Sequence, residues 1–288
     1  MGVVRHNKTH SMKVLQCFMF FLCGSFVLIA NGQNLKGVVV NSETNEPLPY
    51  TNVGILNKDI GTVTNDDGSF ILDISKLSTK DTIRISFIGY KTFDFLGCQA
   101  DPSKETKIRL QPLDVKISEV QVNNAKSKHI ILGNTNKSHS FVSGFSGMQL
   151  GGEFGTLIKV KHRGLLEQIR FHIASTTYDS LVFRVNIYDV VNGLPCHNIL
   201  KEQIVIRPNI KTGDMIIDIS DYNIYLDEDF VICLENIKKL GDDKSKFFLT
   251  IGTLNNPSFR RPSSQGKWQL LQFKKIKFGI GINVKMRI

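Results

Sequence analysis

The stretch Ser258-Phe259-Arg260-Arg261-Pro262-Ser263-Ser264-Gln265-Gly266-Lys267-Trp268 gathers the side chains best suited to hold a ligand. An indole stacks on a sugar ring while guanidinium and amide groups hydrogen-bond its hydroxyls, so Arg260, Arg261, Gln265 and Trp268 form the candidate binding set. Trp268 is the single tryptophan of the chain and would serve equally as a core residue of a β-sandwich. Three other constellations carry less. Gly144-Phe145-Ser146-Gly147-Met148 sets a serine among glycines, but a nucleophile elbow requires glycine where Met148 stands. Asp66-Asp67 and Asp227-Glu228-Asp229 could each take a hard cation. A hairpin turn explains the first and a solvated strand cap the second. No carboxylate pair stands out for glycoside hydrolysis, and no catalytic residue, metal or cofactor is assigned.

The remaining chemistry-bearing residues fix the compartment. Lys13 precedes an uncharged apolar run from Val14 to Ala30 that ends in Ala30-Asn31-Gly32, which reads as a secretory leader over residues 1–32 with cleavage before Gln33. The run falls short of the roughly 20 residues a membrane-spanning helix needs, and an uncleaved anchor is the alternative. Phe20-Phe21-Leu22 is a poor approach to a lipidated Cys23. Beyond the leader stand Cys98, Cys196 and Cys233, an odd set without a C-x-x-C spacing, which argues against a disulfide framework and a structural zinc site. Cys196 and Cys233 could pair. Lys and Arg number 36 against 26 Asp and Glu. The lysines are scattered over strand positions without an aromatic-studded basic stripe, so no nucleic-acid partner is expected. The densest cluster, Lys274, Lys275 and Lys277, reads as a charged edge or solvent face.

What must position these residues is β-structure. Apolar residues recur with period two almost everywhere, the signature of half-buried strands. Short strands open at Leu35–Val40, Thr51–Leu56, Gly61–Thr64, Ser69–Ile74, Thr82–Ile88, Lys107–Leu110 and Ile117–Val122, with Asp67-Gly68 as a hairpin turn. The pattern lapses between Asn123 and Ser140. It resumes with the inward sets Phe183/Val185/Ile187, Met215/Ile217/Ile219, Phe230/Ile232/Leu234 and Phe247/Leu249/Ile251. A final strand from Ile276 to Ile288 puts isoleucine, phenylalanine, valine and methionine on one face. These strands are expected as an all-β chain in two sandwiches, a small one over residues 33–124 and a larger jelly-roll-like one over 141–288, joined by a linker at 125–140. An outer-membrane barrel is disfavoured by the lack of paired long strands with aromatic girdles.

The first block resembles a known family. Gly37-Val38-Val39-Val40, Asn45-Glu46-Pro47-Leu48-Pro49-Tyr50-Thr51-Asn52-Val53, Gly61-Thr62-Val63-Thr64-Asn65-Asp66-Asp67-Gly68-Ser69-Phe70 and Ile88-Gly89-Tyr90 are similar to the carboxypeptidase regulatory-like domain. The resemblance covers about residues 35–122. It implies a transthyretin-like sandwich of the kind found in TonB-dependent receptors and other envelope proteins of Bacteroidetes. It assigns no catalytic residue. Peptidase zinc chemistry would need a histidine with a glutamate three positions on, and no histidine here has one. The second block is similar in pattern to jelly-roll domains of secreted bacterial proteins, some of which bind glycans.

Together these readings predict a non-catalytic exported protein of the periplasm or outer-membrane surface, not integral to the membrane after leader cleavage. Its second sandwich would bind or interact, with an envelope protein or a glycan as partner. A secreted hydrolase with a carboxylate site in that sandwich, or an accessory subunit of an outer-membrane uptake complex, are the alternatives.

Overall fold

The computed structural model describes residues 33–113, 127–146, 150–238, 244–253 and 256–288. The expected leader, the strand at Ile117–Val122 and Met148 lie outside them. Among the described residues the chain is all-β with two short 3-10 turns and no helix long and apolar enough to cross a membrane.

The first sandwich contains β1 (Asn34–Asn41), β2 (Asn52–Ile55), β3 (Gly61–Val63), β4 (Ser69–Asp73), β5 (Thr82–Ser86), β6 (Phe93–Leu96) and β7 (Glu105–Leu110). They form two sheets, ordered β4-β1-β7 and β3-β2-β5-β6. Alternation decides which side chains turn inward: Leu35, Val39, Val53, Phe70, Ile83 and Ile85 close a common core. The hairpin before β4 follows its sequence signature. Gly68 takes φ +76°, and the Asp67 carboxylate accepts the Ser69 N–H at 2.9 Å. The edge strand β6 was not anticipated, because three of its four residues are exposed and leave no inward period to read.

The second sandwich follows with β8 (His129–Gly133), β9 (Val142–Ser146), β10 (Glu153–Ile158), β11 (Gly164–Thr176), β12 (Phe183–Val191), β13 (Leu194–Asn198), β14 (Ile204–Ile206), β15 (Gly213–Asp218) and β16 (Tyr225–Leu226). It continues with β17 (Phe230–Asn236), β18 (Lys246–Thr253), β19 (Ser258–Arg261), β20 (Gln269–Leu270), β21 (Gln272–Phe273), β22 (Ile276–Ile280) and β23 (Ile282–Arg287). One sheet runs β13-β12-β17-β10-β19-β20 with β14 also on β12. The other runs β21-β22-β18-β11-β23-β8, with β15 and β16 on β11 and β9 on β18. Between them the inward faces read from the sequence meet, with the rings of Phe183 and Phe247 4.8 Å apart at their centre. Gly144 lies in β9 opposite Phe248, a strand setting rather than the strand-to-helix turn of a nucleophile elbow.

Two expectations need correction. The stretch read as a linker at 125–140 supplies β8, which pairs with β23 from His129 opposite Arg287 to Gly133 opposite Asn283; its short Ile130-Ile131-Leu132 run is too brief to show a period. The long last strand is two strands broken at Gly281. There the backbone lies so close to Thr250 that an added Cβ would sit 2.4 Å from its hydroxyl oxygen. Ile280, Ile282, Val284 and Met286 keep the buried face, but Ile276 is exposed.

The two sandwiches belong to one compact unit spanning Asn34–Ile288. Tyr50 and Val63 of the first pack with Val182 and Ile237 of the second. The Pro262–Gly266 turn sits on the first sandwich, where Gln265 Nε2 donates to Ser86 Oγ of β5 at 2.7 Å and the Gln265 backbone carbonyl accepts the Asn57 N–H of the β2–β3 hairpin at 2.9 Å. Lys238 of the second sandwich meets Asp66 of the first at 2.6 Å. Lys238, together with the Tyr50 hydroxyl, holds the Asp66 carboxyl below its ordinary value despite slight burial. A carboxyl so depressed stabilises the fold above its unfolded pKa of about 3.9, and that contribution is lost as pH falls through the lower folded value. Asp66→Asn should therefore cost under about 1 kcal/mol at pH 7, since the pair is largely solvated, and less at pH 2. Thermal melts of both proteins at the two pH values measure it; an equal deficit at both would show that the charge plays no part.

Candidate functional site

Four strands of the second sandwich carry a row of charges across the face turned away from its core. Arg184 of β12 is opposite Glu235 of β17, Glu235 is opposite Glu153 of β10, and Glu153 is opposite Arg261 of β19. Two neighbouring glutamates would repel, and each is met by an arginine on its outer side. Glu153 and Glu235 are 0% exposed and Arg184 1%. Asn186 ties the row together, donating to Glu153 at 3.1 Å and to Glu235 at 2.6 Å.

Arg184 uses all five of its N–H donors. Nε and Nη2 grip the Glu235 carboxylate at 2.8 and 2.9 Å, Nη1 reaches Gln203 at 2.8 Å, and Nη1 and Nη2 cross to the first sandwich, to the Tyr50 carbonyl at 2.7 Å and Asn52 Oδ1 at 2.9 Å. Tyr50 presents that carbonyl from a left-handed conformation, φ +61°, and Gln265 holds φ +62° on the other side of the junction. For residues with a Cβ such angles are strained, and here both occur where the sandwiches meet.

Arg261 pairs with Glu153 and donates to the Tyr188 hydroxyl at 3.1 Å. Its Cζ lies 4.7 Å from the Trp268 ring centroid, and its buried Nε has no hydrogen-bond partner, so an aromatic face replaces an acceptor. Burial raises the Glu153 carboxyl and outweighs the opposing pull of Arg261. Burial, reinforced by Glu153, likewise pushes the Tyr188 phenol and the Cys233 thiol well up.

Above this row the two sandwiches leave a cleft of about 330 Å³. Asn52, Ser86, Phe87 and Tyr90 line it from the first sandwich, and Asn186, Tyr188, Asn198 and Gln265 from the second. Each arginine at its wall is already matched: Arg84 by a bidentate contact with Asp94 at 2.7 and 2.9 Å, Arg184 by Glu235, Arg261 by Glu153. The rest of the wall is amides, hydroxyls and aromatic edges, several of them bonded to one another, with the Cys196 thiol and the His197 imidazole.

Of the four candidate binding residues, Arg261 and Gln265 line this cleft. Trp268 is half-buried behind Arg261, packed with Tyr188 at 5.4 Å between ring centroids. Arg260 points to solvent and bonds Gln269 Oε1 at 2.9 Å. Sequence reasoning missed Arg184, Glu235, Glu153 and Asn186, whose alternation with apolar neighbours reads as a solvent face. The only signal was their company: charged and amide residues on strands as apolar as Phe230–Asn236. Cys98, Cys196 and Cys233 are all free thiols, so Cys196 and Cys233 do not pair.

Comparison with known proteins bears on the first sandwich. Residues 35–122 match the CarboxypepD_reg-like domain family. The first sandwich is a CarboxypepD_reg-like domain. This domain is a non-catalytic module, and apolar side chains close its core here. The charged row of the second sandwich is anchored to the CarboxypepD_reg-like domain through Tyr50 and Asn52, within its Tyr50-Thr51-Asn52 segment. No curated protein matches the chain. Among solved structures it is similar to the cysteine protease and lectin-like domains of Cwp84, a surface layer associated protein of Clostridium difficile, with 9% identity, a TM-score of 0.39, and 83% of this chain and 59% of that one covered. A second is the infectious bursal disease virus Gt strain structure, with 9% identity, a TM-score of 0.22, and coverage of 88% and 63%. The chain thus spans less than two thirds of either, and likeness at that level assigns neither fold nor function.

Proposed function

We propose that this is an exported cell-envelope binding protein of the periplasm or outer-membrane surface, whose cleft between the CarboxypepD_reg-like domain and the second sandwich takes a neutral, hydroxyl-rich ligand, a segment of glycan. The cleft carries the reading, because its wall offers donors and acceptors in mixed order while every arginine in it is neutralised by a carboxylate. An anionic ligand would need an unmatched cation. A sugar needs amides, hydroxyls and an aromatic ring face. Tyr90 supplies such a ring, steadied by Phe87 at 5.1 Å and by Asn41, which donates to its hydroxyl at 3.1 Å. Of the residues singled out in sequence, Arg261 and Gln265 form the floor and Trp268 supports Arg261. The apolar leader at Val14–Ala30 supports export.

A glycan array with the full chain tests this. A neutral oligosaccharide should bind, Tyr90→Ala should weaken it about tenfold by loss of roughly 1–2 kcal/mol of stacking, and affinity should change less than about twofold between 50 and 500 mM salt. Binding confined to acidic glycans and abolished by salt would overturn the neutral-ligand reading.

A further inference from the structure

The mouth of the cleft holds a second constellation, on the β12–β13 hairpin. This hairpin turns at Asn192-Gly193, both at positive φ, and its register then slips: Val190 faces Pro195 but Tyr188 faces Asn198. Between those pairs a single residue of β12, Asp189, stands against two of β13, Cys196 and His197. This is a β-bulge, which re-aims side chains that would otherwise point to opposite faces. As a result the sulfur and the imidazole of consecutive residues meet, with Cys196 Sγ 3.7 Å from His197 Nε2. The far ring nitrogen, Nδ1, lies 2.9 Å from Asp189 Oδ2, while Asp189 Oδ1 accepts the His197 backbone N–H at 2.7 Å. Burial would raise the Asp189 carboxyl, but the two bonds from His197 hold it below its ordinary value, so it is the ionised partner that fixes the ring.

The Asp189 carboxylate meets Nδ1 and the Cys196 sulfur approaches Nε2. A carboxylate oxygen, the sulfur and a ring nitrogen also lie within 4.8 Å of one another, so the same three groups could hold a metal ion, and the test below separates the two uses. Thiol to one ring nitrogen and carboxylate to the other is the pairing of a nucleophile, its base and the group orienting that base. Cys196 and His197 both line the cleft and both are exposed, so a bound molecule could reach the sulfur.

We propose that Cys196 is a nucleophilic thiol, activated by His197 and oriented through Asp189, that accepts acyl groups from esters at the cleft mouth. Nε2 takes the Sγ proton, the sulfur attacks the carbonyl carbon, a C–S bond forms and the ester C–O bond breaks. The departing alkoxide takes the proton back from Nε2, leaving a thioester on Cys196. An imidazolium held by a carboxylate favours such a leaving group over a disulfide, whose thiolate needs no proton. The site is independent of what fills the cleft, and its test does not require that ligand.

Cys98, also exposed, serves as a control within the same molecule. Limiting iodoacetamide at pH 7, followed by peptide mass analysis, should alkylate Cys196 at least about tenfold faster than Cys98, since an ordinary thiol is only a few per cent thiolate there. p-Nitrophenyl acetate should release one equivalent of nitrophenolate and leave the acetyl group on Cys196. His197→Asn and Asp189→Asn should each bring the alkylation ratio towards one. Equal labelling of Cys98 and Cys196 in the wild-type protein would overturn the proposal, as would a ratio unchanged in His197→Asn. Alkylation without acetyl transfer would overturn the acyl assignment. Stoichiometric Zn²⁺ binding lost in Cys196→Ser, with alkylation appearing only after chelation, would replace it with a metal site.

Discussion

Arg184→Met is expected to destabilise the protein by about 3–5 kcal/mol, because removing one partner of a buried ion pair leaves the other uncompensated. The stranded group is Glu235, which would keep only Asn186 as a donor and face Glu153 directly across the strands. The change also removes both bonds from Arg184 to the CarboxypepD_reg-like domain, at Tyr50 and Asn52. Urea unfolding followed by circular dichroism measures the loss. Adding Glu235→Leu to Arg184→Met should recover much of it, since a buried pair replaced whole by apolar groups is often near neutral. A loss under about 1 kcal/mol in the single variant would show that the row does not hold the sheet and the junction together.

Gly54→Val should open the junction itself. A Cβ at Gly54 would lie 2.3 Å from the Ser264 carbonyl oxygen, and one at Gly61 on the neighbouring strand meets the same atom at the same distance. The obstacle is backbone, so nothing flexible can yield, and the Pro262–Gly266 turn must lift from the β2–β3 hairpin. Overpacking of this kind costs about 1–3 kcal/mol. Its signature is local: hydrogen exchange should quicken at Asn57, whose N–H is held by the Gln265 carbonyl, while β11 and β17 inside the larger core stay protected. Unchanged exchange at Asn57 would mean that the turn adapts without leaving the hairpin.

The sequence showed half of each strand well. Phe183, Val185 and Ile187 announce an inward face and are buried, because period two marks the side chains that meet across a sandwich. The other half of the same strand, Arg184, Asn186 and Tyr188, is buried as well. Polar alternation looks identical whether it faces water or a partner sheet, and only the docking of the first sandwich distinguishes them. The Ser258–Trp268 stretch attracted notice for its chemistry, and Arg261 and Gln265 do reach the cleft, but Ser264 and Gln265 also dock the turn. Asp189, Cys196 and His197 were unreadable as a group. Their meeting depends on a one-residue slip in register, which no residue type announces.

The position of β23 between β11 and β8 also governs how the chain can be made. It is the last of these strands to leave the ribosome, yet it joins His129–Gly133, made about 150 residues earlier, to the rest of its sheet. Contacts so distant in sequence form late and slowly. The CarboxypepD_reg-like sandwich can complete its pairing while synthesis continues, but the larger sheet must wait as an open edge, exposed to aggregation or to chaperones, until its final strand arrives.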